Sequence, residues 1–455
     1  MAQEEEALPP WGALPADMLQ GVFAALPDAA SRGACRRVCR HWRQVADQGP
    51  EVWQSVHCRC PNSASYLRRT LAPTEAGEPR EPARRRATVE ELSALLSRQR
   101  VHLRRLTLEE NAGAWEDDAA QGLAAVLTAA AGDAGAEGSG LTDLTLVVAE
   151  QLPHQLMEVL PGGAVHLTSL VLRPLRGHVP SLHWEQFGSR LQQLHSRLEH
   201  LRLHNCELDG SLVTVLPHLP QLTMLQLSAR VPAEAAMAAV QRCSRLQELV
   251  TGRLTGVGGA TFQLLPPAPG TLAQLTRLRF SGCDLLSGMD AAWCSLPSLL
   301  SFEVESCDEL ACPNLAGLTK GEQLVFSHQR LEELPESITG LTTLTRLAVA
   351  ACSLETLRPG PYLRGLRELN LFANGLSTVP EALVHPQWRP TALQLLDMSS
   401  NHSHFLSDDD VEVLSQLTTL TSLRLSRQEF VPRDAHPAAP LAALRAALPH
   451  CQIDA

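Results

Sequence analysis

Lysine and aromatic side chains are scarce in this chain of 455 residues. Lys320 is the only lysine among 38 basic residues, and the three aromatic residue types together make up 4% of the sequence. Hydrophobic residues nevertheless make up 44%, so leucine and other aliphatic side chains must fill the core in place of large rings. The composition is typical of a globular chain and excludes a disordered one.

The sequence also lacks a basic excess and a long apolar run. Its formal net charge is -11 and its pI is near 5.9, which argues against nonspecific nucleic-acid binding, because that depends on clustered Lys and Arg. The apolar run at residues 124–131 is too short to span a bilayer, and the N-terminal residues are acidic where a signal peptide would be basic. We therefore expect no nucleic-acid partner, no membrane partner, and a cytoplasmic or nuclear location with reduced thiols.

A leucine pattern recurs thirteen times between Leu103 and Leu425. Each copy has some form of leucine, two residues, leucine, one residue and leucine, and the spacing between copies settles near 24 residues. Copies begin at residues 103, 141, 198, 222, 246, 275, 299, 321, 344, 366, 393 and 420, among others. Periods of about 20 to 29 residues predict a leucine-rich-repeat solenoid.

The spacing of the leucines explains why such a chain would stack. The second and third leucines of a copy point to one side of a short strand, and the residue between them points to the other. One coil cannot bury its leucines alone, but stacked coils can, and the end coils need covers. We predict an α/β fold in which about 13 units at residues 88–428 form a horseshoe with a parallel concave sheet, followed by a C-terminal cap or tail at residues 429–455. Convex helices are predicted at residues 233–241 and 408–417.

Several of the twelve cysteines occupy one position of the repeat. Three residues after the third apolar position, four copies have cysteine and two have asparagine, namely Cys206, Cys283, Cys307, Cys352, Asn374 and Asn401. A buried Asn or Cys can bond the backbone of the turn that leaves the strand, whose polar groups would otherwise be unsatisfied. This position predicts a ladder of structural residues. The cluster at residues 57–60, His-Cys-Arg-Cys, has no second paired cluster at zinc spacing, so we expect no metal site.

Upstream of the repeats the pattern is helical. Residues 14–19, Leu-Pro-Ala-Asp-Met-Leu, suit the first turn of a helix, because Pro fits an N-terminal helical position and an acid favours the positive end of the helix dipole. An apolar stripe at helical spacing follows to Leu26, and a second stripe runs from Val38 through Trp42. The pattern predicts three short helices between residues 14 and 48.

The order and density of these residues closely resemble the F-box, a motif of substrate receptors in cullin-RING ubiquitin ligases. The resemblance covers residues 10–58, including the Leu-Pro opening, the Val-Cys-Arg-His-Trp-Arg core at residues 38–43 and the late Trp53. It implies a three-helix F-box that binds a Skp1-type adaptor, and through it a cullin and a RING protein. By that resemblance the adaptor-binding residues are Leu14, Pro15, Leu19, Val22, Phe23, Leu26, Val38, Cys39 and Trp42.

A plainer interpretation of the helical stripes remains open. Any solenoid needs a cover at its N-terminal end, and a helical cap would show the same apolar spacing. A cap, however, does not require the Leu-Pro opening, the Val-Cys-Arg-x-Trp core and a distant tryptophan together. Residues 59–87, which include a stretch rich in Pro, Glu and Arg, are predicted to be a connecting segment.

No catalytic signature is found in the sequence. The glycines at residues 256–259 lack the Lys-Ser of a phosphate loop, and His402 and His404 have no neighbouring nucleophile and third group for a triad. The acids at residues 408–410 are predicted to begin a helix after Ser407 and have no EF-hand spacing. We expect a non-enzymatic chain without a cofactor.

Strand alternation indicates which residues face a partner. Side chains that alternate with the leucines point to the concave face. The candidate substrate-binding residues on this basis are His200, Arg202, His204, Arg277 and Arg279. Because Glu303 and Glu305 follow one coil after the last two, lateral ion pairing is an alternative role for those arginines. Two functions remain: a substrate receptor of an SCF ligase that binds a protein of unknown identity, or a non-ligase leucine-rich-repeat scaffold with a helical N-terminal cap.

Overall fold

The chain forms two compact units, Met1–Leu222 and Thr223–Ala455. The computed structural model describes residues 20, 54–59, 96–98, 102–109, 127–129, 141–148, 166–174, 181–182, 197–208, 215–256, 259–401, 407–425 and 438–454. The three predicted helices between residues 14 and 48 lie outside the described residues, apart from the helical Gln20.

The described part of the first unit contains parallel strands that pair in chain order. They are β1 at Ser55–Arg59, β2 at Arg105–Glu109, β3 at Asp143–Val148, β4 at Ser169–Pro174, β5 at Ser181–Leu182 and β6 at His200–Leu208. Strands β1, β2, β3, β4 and β6 are successive neighbours, and the short β5 pairs with the end of β6. A 3-10 turn at Leu216–His218 ends the unit.

The second unit has the same construction. Its main sheet consists of β7 at Met224–Arg230, β8 at Glu248–Gly252, β10 at Arg277–Ser281, β12 at Ser301–Glu305, β13 at Gln323–Ser327, β14 at Arg346–Ala350, β15 at Glu368–Asn370, β16 at Leu395–Asp397, β17 at Ser422–Arg424 and β18 at Gln452–Asp454. These ten strands are parallel and follow one another in this order. Strands β9 at Phe262–Leu264 and β11 at Leu286–Met289 form a separate parallel pair.

The connections of the second unit are helical in places. Helix α1 spans Ala233–Val240, α2 spans Asp408–Ser415 and α3 spans Ala438–Ala447, and 3-10 turns lie at Ala291–Trp293, Glu336–Gly340, Pro361–Leu363 and Glu381–Val384. The two predicted helices are therefore confirmed. At the start of α2, the Ser407 hydroxyl accepts from the Asp410 N–H while the Asp410 carboxylate accepts from the Ser407 N–H, which is the predicted helix start.

The leucine pattern locates the strands closely. Every repeat start given above lies two residues before a strand of a main sheet, as with Leu222 before β7 and Leu366 before β15. The three leucines of a copy are buried because the coils above and below cover them; Leu198, Leu201 and Leu203 each expose 0% of their surface. Burial of each such side chain contributes about 1.5 to 3 kcal/mol relative to exposure.

The sheets extend beyond the predicted repeat region of residues 88–428. Strand β1 lies upstream of residue 88 and overlaps the end of the predicted 10–58 segment, and β18 lies downstream of residue 428. In both strands an aliphatic residue other than leucine takes the core position: Val56 is in register with Leu106, and Ile453 is in register with Leu423. A search pattern built on leucine does not detect either strand.

Leucine does not fill the whole core, because aromatic rings stack across three coils. Phe302 lies between Phe280 and Phe326, and its ring centroid is 6.4 Å from each of theirs in an edge-to-face arrangement. The three side chains are buried, so a third of the chain's nine phenylalanines concentrate at one place. Such edge-to-face pairs add about 0.5 to 1.5 kcal/mol beyond area burial.

The predicted ladder is present in the second unit. Asn374 is buried; its side-chain oxygen accepts from the N–H groups of Cys352 (3.0 Å) and Leu354 (3.1 Å), and its amide nitrogen donates to the carbonyls of Val349 (2.6 Å) and Leu371 (3.0 Å). One side chain therefore satisfies backbone groups of its own coil and of the preceding coil.

Other residues fill the same position with fewer bonds. The thiol of Cys352 donates to the Ala350 carbonyl (3.2 Å), and burial raises the pKa of this thiol to about 11, which keeps it protonated as a donor. Gln329 also belongs to the ladder, although its residue type was not anticipated: its amide donates to the carbonyls of Ser327 (3.4 Å) and His328 (3.2 Å). Of the predicted ladder residues, Cys206 lies in β6, and its side chain is outside the described residues.

We predict that Asn374→Ala destabilises the protein by about 3 kcal/mol or more, because each buried backbone group left without a partner costs about 1 to 3 kcal/mol. Asn370→Ala is the matched control, since the half-buried Asn370 accepts a single bond, from the Phe372 N–H (2.9 Å). Urea unfolding followed by circular dichroism measures both free energies of unfolding. Equal losses in the two variants would contradict a structural role specific to the ladder.

Candidate functional site

The candidate site is the outward face of each main sheet, which consists of the side chains that alternate with the buried leucines. In β6, Leu201 and Leu203 are buried, whereas Arg202 is exposed and His200 and His204 are half-buried. In β10, Leu278 and Phe280 are buried, whereas Arg277 is exposed and Arg279 is half-buried. All five candidate substrate-binding residues therefore alternate with core residues as predicted; their role in binding stays a prediction.

Positive charge gathers around His204 in the first unit. In the parallel pair of β4 and β6, Val171 is opposite Arg202. Arg173 and His204 each come two residues later on these two strands. The pKa of His204 is lowered, first by burial and then by the charges of Arg202 and Arg173. At neutral pH the imidazole of His204 is therefore neutral, and two guanidinium groups are near enough to oppose its protonation.

Arg173 was missed in the sequence analysis. It directly follows the leucine pattern at residues 167–172, and the same position in β6 is occupied by His204. Attention to this position in neighbouring copies would have identified it. The basic patch, defined as Arg173, His200, Arg202 and His204, thus spans two adjacent strands.

Lateral contacts in the first unit tie neighbouring strands together through charged side chains. The His57 Nε2 atom lies 2.8 Å from a carboxylate oxygen of Glu109, and the Arg105 Nε atom lies 4.0 Å from a carboxylate oxygen of Asp143. Because β1 pairs with β2 and β2 with β3, both contacts run across strands. His57, which belongs to the His-Cys-Arg-Cys cluster, therefore has a carboxylate partner on the next strand.

In the second unit, Arg279 is engaged in the lateral pairing that the sequence offered as its alternative role. Its guanidinium lies 3.6 Å from the Glu303 carboxylate and donates a hydrogen bond to Glu305. The Ser281 hydroxyl also donates to Glu305 (3.2 Å). The Arg279 bond is the main cause that lowers the pKa of Glu305.

Arg277 differs from Arg279. It is exposed, and its register neighbours are Glu248 on β8 and Ser301 on β12. Within the part of the chain that the structure describes, Arg277 forms no ion pair. Arg277 is therefore the better candidate of the two for contact with a partner.

Further along the second unit, charged pairs alternate with an exposed ring. Arg346 lies 3.4 Å from Glu368, and Arg424 lies 3.5 Å from Asp397. Phe372 lies two residues after the end of β15 and exposes 40% of its surface. It occupies the position that Arg173 and His204 hold in the first unit, where other coils of the second unit have Ser, Gly, Ala or Glu, and this contrast was the available signal in the sequence. An exposed aromatic ring beside polar residues can serve as an anchor for a partner.

The predicted adaptor-binding residues lie outside the described residues. These are Leu14, Pro15, Leu19, Val22, Phe23, Leu26, Val38, Cys39 and Trp42. Within the described ranges, no group of three or more His, Cys, Asp or Glu side chains could hold a metal ion. The same ranges contain no helix that is both long and apolar enough to cross a membrane.

The Arg279 pair predicts a small effect of acid on stability. A carboxyl with a folded pKa below its unfolded value of about 4.3 contributes stability that is present above that value and is lost as pH falls through the folded pKa. Glu305→Gln should therefore cost less than about 1 kcal/mol near neutral pH, since both side chains are partly exposed, and the difference from the unsubstituted protein should vanish in acid.

Urea unfolding at about pH 7 and about pH 3 tests this expectation. Glu309→Gln is the control, because Glu309 is exposed and forms no ion pair with the other described residues. A constant difference between Glu305→Gln and the unsubstituted protein across this range would contradict the proposed ion pair.

Comparison with known proteins agrees with both halves of the sequence analysis. An F-box-like family model matches residues 11–59. No curated protein sequence is significantly similar to the chain. A leucine-rich-repeat protein of Leptospira interrogans is 18% identical with a TM-score of 0.53, over 99% of this chain and 100% of that one.

A second solved structure, a TLR13–ssRNA13 complex, is 19% identical with a TM-score of 0.52. The match covers 80% of this chain and 50% of that one, so this chain spans half the length of TLR13. At these identities the likeness concerns the fold alone. The chain therefore combines an F-box-like segment at residues 11–59 with an α/β leucine-rich-repeat fold.

Proposed function

We propose that the chain is the substrate-recognition subunit of a cullin-RING (SCF) E3 ubiquitin ligase. The observation that carries the proposal is the combination of an F-box-like segment with parallel sheets whose outward faces are polar. The F-box-like segment would bind a Skp1-type adaptor, which connects to the cullin and the RING protein, and the repeats would bind a protein substrate. The chain itself would be non-catalytic and would act in the cytoplasm or nucleus.

The contribution of such a receptor to catalysis is positional. Holding a substrate close to the ubiquitin-loaded subunits converts a bimolecular encounter into an effectively unimolecular one. This role requires a rigid surface with side chains free to contact a partner. The buried leucines and the ladder supply the rigidity, and the residues between the leucines supply the contacts.

The basic patch is our preferred part of the face for substrate capture. Arg202 is exposed, and Arg173 on the adjacent strand is exposed as well, so two guanidinium groups face outward in neighbouring coils. Arginine is suited to interface contacts because its planar guanidinium offers five donors. We therefore expect the partner surface to present hydrogen-bond acceptors, such as carboxylate or carbonyl oxygens, to these arginines.

Trp42→Ala tests the adaptor contact. A tryptophan anchor buried in a partner's pocket contributes 2 kcal/mol or more, so we expect adaptor affinity to fall by about 30-fold. Co-purification and calorimetric titration with a Skp1-type adaptor measure the loss. Trp388→Ala is the matched control, because Trp388 lies in the second unit, stacked beneath Arg364 at 5.3 Å. Unchanged adaptor binding by Trp42→Ala would favour the non-ligase scaffold with a helical cap.

Substitution of His200, Arg202 and His204 by Ala tests substrate capture. The side chains are outside the leucine core, so folding and adaptor binding should be retained, while proteins that accumulate on the receptor when the cullin is inhibited should be depleted several-fold. Quantitative mass spectrometry of co-purified proteins measures this. The control replaces Arg346 and Glu368, an outward pair with no place in the basic patch. An unchanged set of partners would remove the basic patch from the proposal.

A further inference from the structure

A cleft of about 690 Å³ lies entirely within the second unit, away from the outward face of the sheet. Three successive coils form its walls: residues 355–359 after β14, residues 376–386 after β15, and helix α2 after β16. Clefts of about 300 to 1,000 Å³ are of the size that holds ligands.

A buried carboxylate fixes the shape of this cleft. Asp410 accepts a hydrogen bond from the Val379 N–H (2.7 Å), and its other oxygen accepts from the Ser407 N–H (3.1 Å) and hydroxyl (2.6 Å). These bonds connect the first turn of α2 to the segment that carries the opposite wall. The cleft therefore exists before any partner binds, which lowers the entropic cost of binding.

Part of the cleft lining is apolar. Leu357 and Leu376 are buried in its wall, and Pro380 and Ala382 are buried beside them. Val413 on α2 is half-buried and also lines the cleft. An apolar side chain inserted here would lose water on several sides at once.

The charged residues on the cleft wall are all acidic. They are Glu355, Glu381, Asp409 and Glu412, and each is exposed. His385 is the only basic residue type on the wall, which carries neither Lys nor Arg. Across the described ranges, none of the four carboxylates is in an ion pair with a Lys or Arg side chain.

We propose that this cleft binds a short peptide segment in which Arg or Lys side chains flank an apolar residue. The apolar residue would contact Leu357 and Val413, and the flanking cations would approach Glu381 and Glu412. Negative charge without a local counter-cation favours a basic partner. The apolar walls favour a partner that also carries an apolar side chain. The proposal is independent of the ligase role and would hold for a non-ligase scaffold as well.

Fluorescence anisotropy with three labelled peptides tests the chemistry of the partner. Arg-Leu-Arg-Leu-Arg should bind in a saturable way and weaken as salt is raised, because exposed charges are screened. Arg-Ser-Arg-Ser-Arg should bind several-fold more weakly for lack of the apolar contact, and Glu-Leu-Glu-Leu-Glu should not bind. Equal binding of the first two peptides, or no binding of the first, would overturn the proposal.

A pair of variants of the full chain tests the location. Glu381→Gln combined with Glu412→Gln should weaken binding of the basic peptide about fivefold, because two favourable charge contacts are removed while the shape is kept. Asp308→Asn combined with Glu309→Gln removes the same charge from exposed residues that do not line the cleft, and should leave binding unchanged. Equal weakening in both variants would show attraction to the net charge of the protein and would overturn the assignment to the cleft.

Discussion

The structure depends on satisfying the backbone where each strand turns away from the sheet. A coil that stacks between two others buries the N–H and C=O groups of this turn, and water cannot reach them. Asn401 meets the requirement in the same way as Asn374: its oxygen accepts from Asn374 N–H (3.2 Å), and its amide donates to Leu371 (2.9 Å) and Met398 (2.8 Å). Each of these two asparagines thus completes the turn of the preceding coil as well as its own, which couples the coils to one another.

The same constraint explains an unusual backbone conformation. The residue before the ladder position has a positive φ in successive coils, including Ser306 (49°), Ala351 (53°), Ala373 (53°) and Ser400 (59°). For residues with a Cβ atom this left-handed region costs about 1 to 2 kcal/mol. The strain persists because the ladder side chain that follows bonds the turn, and because the N–H groups of residues such as Ser306, Ala351 and Ala373 donate to carbonyls of the next coil. Outward side chains contribute less to the turns: Asn370 and Asp397 each accept one hydrogen bond there, from the N–H groups of Phe372 and Ser399.

Repeat spacing predicts much of this fold and less of its surface. The periodic leucines located the strands, and the ladder was predicted from Asn and Cys, because both signals arise within a single coil. Strand β1 and the ladder role of Gln329 were missed, since Val56 and Gln329 meet the same physical requirement with another residue type. Arg173 was missed because its importance comes from a neighbouring strand. The repeat spacing offered lateral pairing with Glu303 and Glu305 to both Arg277 and Arg279, and only the side-chain positions distinguish Arg279, which forms these pairs, from Arg277.

That difference between the two arginines bears on how the face can recognise a partner. A partner that competes for Arg279 must first displace Glu303 and Glu305, so part of any new interaction replaces an existing one. Arg277 requires no such exchange, and neither does the exposed ring of Phe372. Affinity should therefore come mainly from outward residues that are not engaged in lateral pairs. The paired residues should instead limit the position of a bound partner, because they repel groups of like charge. The leucines and ladder residues that hold the coils together are thus distinct from the outward residues proposed to select a partner, so a change in specificity need not weaken the fold.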